Sequence, residues 1–203
     1  FIVVNKSSGV NYASKTNGKG KSIFDLTSSY LRRKYPNQQG LHLIHSMDNQ
    51  ESGLCIFARS KHAQQKMIEQ WNDVELEYYT ILQSPLKHKN ETFIFETQEK
   101  KIKIMYQFID SLNYFNDSLS LVNISGLGLS GSDCRKAFAE KGNPIVADLT
   151  YGATEFANNY LKLCCYTIKF SHPFTQKSIK ITMNPPKGFN TINPPYKKQN
   201  EHK

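Results

Sequence analysis

Cysteine is scarce, and its placement excludes the staples that small domains rely on. The four cysteines, Cys55, Cys134, Cys164 and Cys165, form no CxxC pair and have no histidine at zinc-ligand spacing. Reduced, partly buried thiols of a cytoplasmic protein are the expectation, with adjacent Cys164 and Cys165 on opposite faces of a strand. No apolar run approaches the roughly 18 residues of a membrane span, no signal-peptide pattern is visible, and no internal repeat occurs. Acidic residues are also in deficit: 17 Asp and Glu against 26 Lys and Arg give a net charge of +9. With 12% aromatic residues, that balance suits a polyanion, nucleic acid first, although proteins without such a partner also carry positive charge.

At 203 residues the chain suits one domain and can bury well over half of its unfolded surface. FIVVNKSSGV reads as a short buried strand with a turn at Lys6 to Gly9, which leaves Lys6 exposed by default. Because it opens inside an apolar run at Phe1, further chain upstream is expected. Asn11 to Ser22 is a polar loop, and SIFDLTSSYLRRKY predicts a helix with Ser22 and Asp25 as a capping box. LHLIH and LCIFARS predict strands, KHAQQKMIEQWN a helix and VELEYYTIL a further strand. FIFE, KIKIMYQFI and LSLVNI add short β segments between polar turns. GSDCRKAFAEKGNP predicts a helix capped by Ser132 or Asp133 and stopped at Gly142. LKLCCYTIKF and KSIKITM close as a hairpin, before a poorly ordered basic tail at 190–203. The class is α+β, a mixed, mainly antiparallel sheet with flanking helices.

Between the strands LHLIH and LCIFARS lies a polar run centred on Asp48, longer than a plain turn needs. A calcium loop fails, because the twelfth position from Asp48 is Arg59 where a bidentate Glu is required. A metal pair of His45 and Asp48 has no third ligand placed to join it. A turn-forming Asp without chemistry and a lone catalytic carboxylate are the readings that the local pattern leaves open.

The wider pattern bears on that choice. In order, FIVVNKSSGV, IHSMDNQESGLCIFARS, VELEYYTIL, CRKAFAEKGNPIVADLTYG and LKLCCYTIKFSHPFTQKSIKITMNPPKGF resemble the motifs of the RluA-type RNA pseudouridine synthases, from Phe1 to about Phe189. The resemblance implies a pseudouridine synthase catalytic domain over 1–189 with a central RNA-binding cleft. It also implies a monomer acting on rRNA or tRNA without metal or organic cofactor. The family signature HRLD, two residues and TSG stands here as HSMDNQESG, which implies Asp48 as the catalytic aspartate. Tyr78 falls on the tyrosine that packs against the target base, and Arg135 on the arginine that pairs with the carboxylate. Gly142, Pro144, Ile145, Asp148, Tyr151 and Gly152 continue the pattern around that arginine. Without the resemblance, Tyr78 reads as a core tyrosine and Arg135 as part of a solvated helix face.

The chain also departs from the signature. Its arginine is Ser46 here, and its threonine is Glu51, whose charge is expected to repel both RNA phosphate and Asp48. The family stretch TGRTHQIR stands as GLSGSDCR, with Ser130 and Ser132 for arginine and histidine, and the basic residue two before the tyrosine is Leu76. Two functions follow: a synthase isomerising uridine to pseudouridine in structured RNA with altered RNA handling, or a weakly active or inactive RNA-binding protein retaining the fold. A small-molecule hydrolase is a third class, without the second carboxylate that glycoside hydrolysis usually needs.

Overall fold

In the computed structural model, residues 1–14, 21–37, 40–114, 117–154 and 160–192 are described, so the expected Asn11 to Ser22 loop and 190–203 tail lie partly outside the described residues. Seven consecutive buried residues form β3 (Ser52–Ala58), the strand on which the rest is assembled. Its two faces go to different cores: Leu54, Ile56 and Ala58 pack with Met67, Leu76, Ile104 and Phe138, while Cys55 and Phe57 pack with Tyr12, Leu31 and Leu41. A strand covered on both sides has no use for polar alternation, which is why its sequence is a continuous apolar run.

The remaining elements are β1 (Ile2–Lys6), α1 (Ile23–Lys34), β2 (His42–Leu43), α2 (Lys61–Glu69), β4 (Glu75–Leu82), β5 (Asn90–Glu96), β6 (Lys101–Tyr114), β7 (Asp117–Leu127), α3 (Gly131–Glu140), β8 (Leu163–Ser171) and β9 (Ser178–Thr182). They form a nine-stranded sheet in the order β1-β3-β8-β4-β7-β6-β5, with β2 paired to β3 and β9 to β8. Only β3 and β8 run parallel among these pairs. At that junction Gly53 has φ +107° and a Cβ there would lie 2.1 Å from the Cys165 carbonyl oxygen, so the close approach requires glycine. Cys164 and Cys165 do face opposite ways, one into the core around Ile81, Leu121 and Phe189, the other into the core around Met67 and Phe138.

Alternation is clean at the other end of the sheet. Ile102, Ile104 and Tyr106 of β6 are buried, and Lys101, Lys103 and Met105 between them are exposed. Helix α1 starts with the expected Ser22–Asp25 capping box. Helix α3 starts earlier than expected: Ser130 is its N-cap, and Asp133 is the third helical residue of a second capping box. Spacing explains the difference, since only a start at Ser130 brings an acidic side chain back onto the cap amide.

Candidate active site

The loop from Ile44 to Glu51, between β2 and β3, is tied down from behind. Lys6 was expected to be exposed; it is fully buried instead. Its ammonium donates to the carbonyls of Glu51 (2.5 Å), Val10 (2.9 Å), Asn49 (3.0 Å) and Ser7 (3.3 Å). The strand run carries the lysine stem inward, and four carbonyls replace its water; burial still pushes the ammonium down to about 8. Gly9 donates its backbone N–H to the Asn49 carbonyl (2.7 Å), and Ser8 donates its hydroxyl to that of Gln50 (2.8 Å). At the front of the loop, the His45 ring stacks on Trp71 with centroids 4.9 Å apart, and its Nε2 accepts from the Ile56 N–H (3.2 Å). Burial pushes this imidazole down to about 4, so it is a neutral structural prop. Among the described residues, no group of three or more His, Cys, Asp or Glu is placed to hold a metal.

This anchoring leaves Asp48 at the crest of the loop, its side chain 61% exposed and its carboxylate bonded to Arg135 Nη1. Arg135 is not part of a solvated face: its side chain is 3% exposed. Its Nε and Nη2 form a two-pronged contact with the two oxygens of the fully buried Asp148, both at 2.8 Å. The Tyr151 ring lies 4.9 Å from its guanidinium carbon. Burial would lower the guanidinium, but the Asp148 bonds and the surrounding carboxylates overcome this and raise it. The planar fork thus has a separate task at each edge, one locked on Asp148 and one presented to Asp48, which a lysine could not reproduce. Asp148, which the sequence showed only as a continuation of the arginine motif, is the residue that aims Arg135.

Glu51 differs from its expectation. Its side chain turns inward, only 3% exposed, with one oxygen 3.8 Å from Arg135 Nη1. The carboxyl fills the space beside Gly131, where a Cβ would lie 2.5 Å from it. Burial first, and the Asp48 charge second, push it up to about 7 despite Arg135 and Lys6. The charge that the sequence placed before the RNA is therefore buried and partly neutralised.

Tyr78, on β4, is 5% exposed and donates its hydroxyl to the Leu129 carbonyl (3.4 Å). The pairing with β8 shifts register between Glu77 and Tyr78, where β8 carries Tyr166 as an extra residue. Tyr78 lines a cavity of about 390 Å³ with Ser46, Trp71, Lys100 and Ser130. Ser46 is two residues before Asp48, and Ser130 caps the helix that carries Arg135. Asp48 and Arg135 thus meet directly, whereas Tyr78 lines a cavity that neither of them lines and is linked to them only through Ser46 and Ser130, their neighbours in the chain. Sequence reasoning did not single out Lys6, Asp148 or Lys100; only the position of Asp148 within IVADLTYG gave a signal.

Comparison with known proteins bears on the family and the fold. The family described as RNA pseudouridylate synthase matches residues 1–136, which include Asp48, Tyr78 and Arg135. Ribosomal large subunit pseudouridine synthase C of Haemophilus ducreyi is 26% identical over 207 residues, covering 90% of this chain and 62% of that protein. Its counterpart in Buchnera aphidicola is 25% identical over 204 residues, covering 90% of this chain and 63% of that protein. The chain therefore spans less than two thirds of these relatives. Human RNA pseudouridylate synthase domain containing 1 shares the fold at TM-score 0.67 and 19% identity, covering 91% of this chain and 79% of that one. Human RNA pseudouridylate synthase domain containing 4 does so at TM-score 0.70 and 15% identity, covering 92% and 86%.

Proposed function

Because the chain belongs to the RNA pseudouridylate synthase family, we propose that it isomerises uridine to pseudouridine in structured RNA, rRNA or tRNA, with Asp48 as its catalytic carboxylate. The observation that carries this reading is the Asp48–Arg135–Asp148 chain, in which a buried arginine holds an exposed carboxylate at the crest of an anchored loop. The names of the relatives make large-subunit rRNA the first substrate to test.

The chemistry requires little else. The N1–C1′ bond breaks, the uracil turns, and a C5–C1′ bond forms; the proton lost from C5 is balanced by one gained at N1. Hydrolysis of a glycoside usually needs a second carboxylate to help the leaving group or activate water. Here uracil leaves as a stabilised anion and is kept, so one carboxylate suffices, acting on C1′ or on a sugar proton. Arg135 positions Asp48 without touching the base. Tyr78 offers a ring edge or face in the cavity to an extruded uracil, the kind of contact worth roughly 1–3 kcal/mol per base. Residues 1–189 form the catalytic domain in this reading, and the protein works as a monomer in the cytoplasm, a compartment that suits its four free thiols.

RNA transcripts carrying uridine tritiated at C5 provide the test, because rearrangement releases that hydrogen to water. The wild-type protein is expected to release tritium from rRNA and Asp48→Asn to release none. Release by both proteins, or by neither, would overturn the reading.

A further inference from the structure

Within the cavity lined by Tyr78 and Ser46, one charged residue is found among the described residues, Lys100, from the turn between β5 and β6; His45, also there, is neutral. Lys100 is shared with a second hollow of about 480 Å³ on the outer face of β6 and β7, lined by Asn72, Lys101, Lys103, Met105 and Leu127. Asn72 also borders both. A continuous surface therefore leads from Tyr78, past Lys100 and Asn72, onto the exposed side chains of Lys101, Lys103 and Met105 on β6 and Leu127 on β7. Met105 is 42% and Leu127 57% exposed. From this geometry we propose that the outer face of β6 and β7 is the track for the RNA strand that continues from the uridine held at Tyr78, with Lys100 at the junction gripping the adjacent phosphate. The proposal rests on the reading above, since it takes Tyr78 as the place of the base.

Two features of the charges fit an RNA strand. Lys103 is exposed and has no ion pair among the described residues, so it offers its full charge. Lys101 is paired with Glu96 (2.8 Å), but both side chains are more than half exposed, so the pair holds little and phosphate can displace it. Lys100 donates to Asp133 (2.9 Å) and, at 3.5 Å, to the Gly128 carbonyl. Giving up Asp133 leaves that buried carboxylate without its cation but still bonded to the Ser130 N–H (2.8 Å) and Ser130 hydroxyl (2.6 Å) at the start of α3. Lys100 is thus a cation whose present partner keeps two other hydrogen bonds when a phosphate takes its place. Beside the lysines, Met105 and Leu127 give unstacked bases an apolar surface.

Fluorescence anisotropy with a labelled RNA stem–loop carrying uridines in its loop tests the surface, in the Asp48→Asn protein so that binding is separated from turnover. Lys100→Met, which keeps the aliphatic stem, and Lys103→Ala at an exposed position are compared with Lys34→Ala at the end of α1. Each track variant is expected to weaken binding several-fold near 150 mM salt and to lower the slope of log affinity against log salt by about 0.7, the contribution of one single-strand phosphate contact. Lys34→Ala is expected to change neither. Unchanged slopes in both track variants, an equal loss in Lys34→Ala, or no binding by any form would overturn the proposal. Tritium release by the protein with Asp48 intact is measured alongside: turnover with unresponsive slopes refutes the track alone, and responsive slopes without turnover refute the catalytic reading while the surface stands.

Discussion

Glu51→Gln keeps the volume of a buried side chain and removes its ability to ionise. In the folded protein the carboxyl is raised from 4.5 to about 7, mainly by burial and then by Asp48. A group whose folded value is raised binds its proton more readily in the native state. Its contribution to stability is fully present below about pH 4.5 and is lost as pH rises through 7. The gap between 4.5 and 7 is about 2.5 units, so ionising Glu51 in place costs on the order of 3 kcal/mol above neutrality. Glutamine carries no such cost. Urea unfolding of both proteins is expected to show near-equal stability at pH 4.5 and an advantage for Glu51→Gln that grows to on the order of 3 kcal/mol by pH 7.5. The upper limit stays below the value of about 8 for Lys6, so that the opposing ammonium remains largely charged in both proteins. An advantage that is flat across this range, or that shrinks as pH rises, would show that Glu51 is not a buried acid of raised affinity for its proton.

Removing the guanidinium leaves a different trace. Arg135→Met strands the fully buried Asp148 carboxylate and is expected to cost about 3–5 kcal/mol, of which Asp148→Asn in the same chain recovers a large part; additive losses in a denaturation double-mutant cycle would contradict the coupling. Gly53→Ala drives a Cβ into the Cys165 backbone at a φ of +107°, and is expected to lose on the order of 3 kcal/mol or more. Gly142→Ala has a φ of +76° but open space around it, and is expected to lose only about 1 kcal/mol; urea midpoints in the reverse order would refute the contact argument. Burial holds the thiols of Cys55 and Cys164 up at about 12 and about 11, so a thiol reagent at pH 8 is expected to label neither until the protein unfolds. Rapid labelling of the native protein would show that these residues are not enclosed.

What the sequence revealed and what it hid divide along a physical line. Period and capping are local, so β6, β4 and the capping box of α1 could be read from short stretches. Asp48 and Arg135 could be read as a pair only through ordered motifs 87 positions apart, because nothing local to either says that they touch. Burial of charge was the main blind spot. Lys6 follows three apolar residues in β1 and precedes a turn, and a lysine there is exposed unless something inside accepts its protons. Two of the four acceptors are carbonyls of the Ile44 to Glu51 loop, which come from a distant part of the chain. Asp148 was hidden for the same reason: its burial makes sense only once Arg135 is seen to fork onto it.

Ser46 and Glu51 flank Asp48 and both depart from the family signature, which invites the inference that one RNA-facing surface has been lost. The fold separates them. Ser46 opens into the cavity lined by Tyr78, where Lys100 supplies the cation, while Glu51 turns away from it against Gly131. The bonds that aim Arg135 run to Asp148, and those that anchor the Asp48 loop run from Lys6 to backbone carbonyls. Neither set uses the side chain of Ser46 or Glu51. In the proposed reading Ser46 therefore bears on how RNA is held and Glu51, 3.8 Å from Arg135 Nη1, on how the site responds to pH, while the bonds to Asp148 and from Lys6 stand without either side chain.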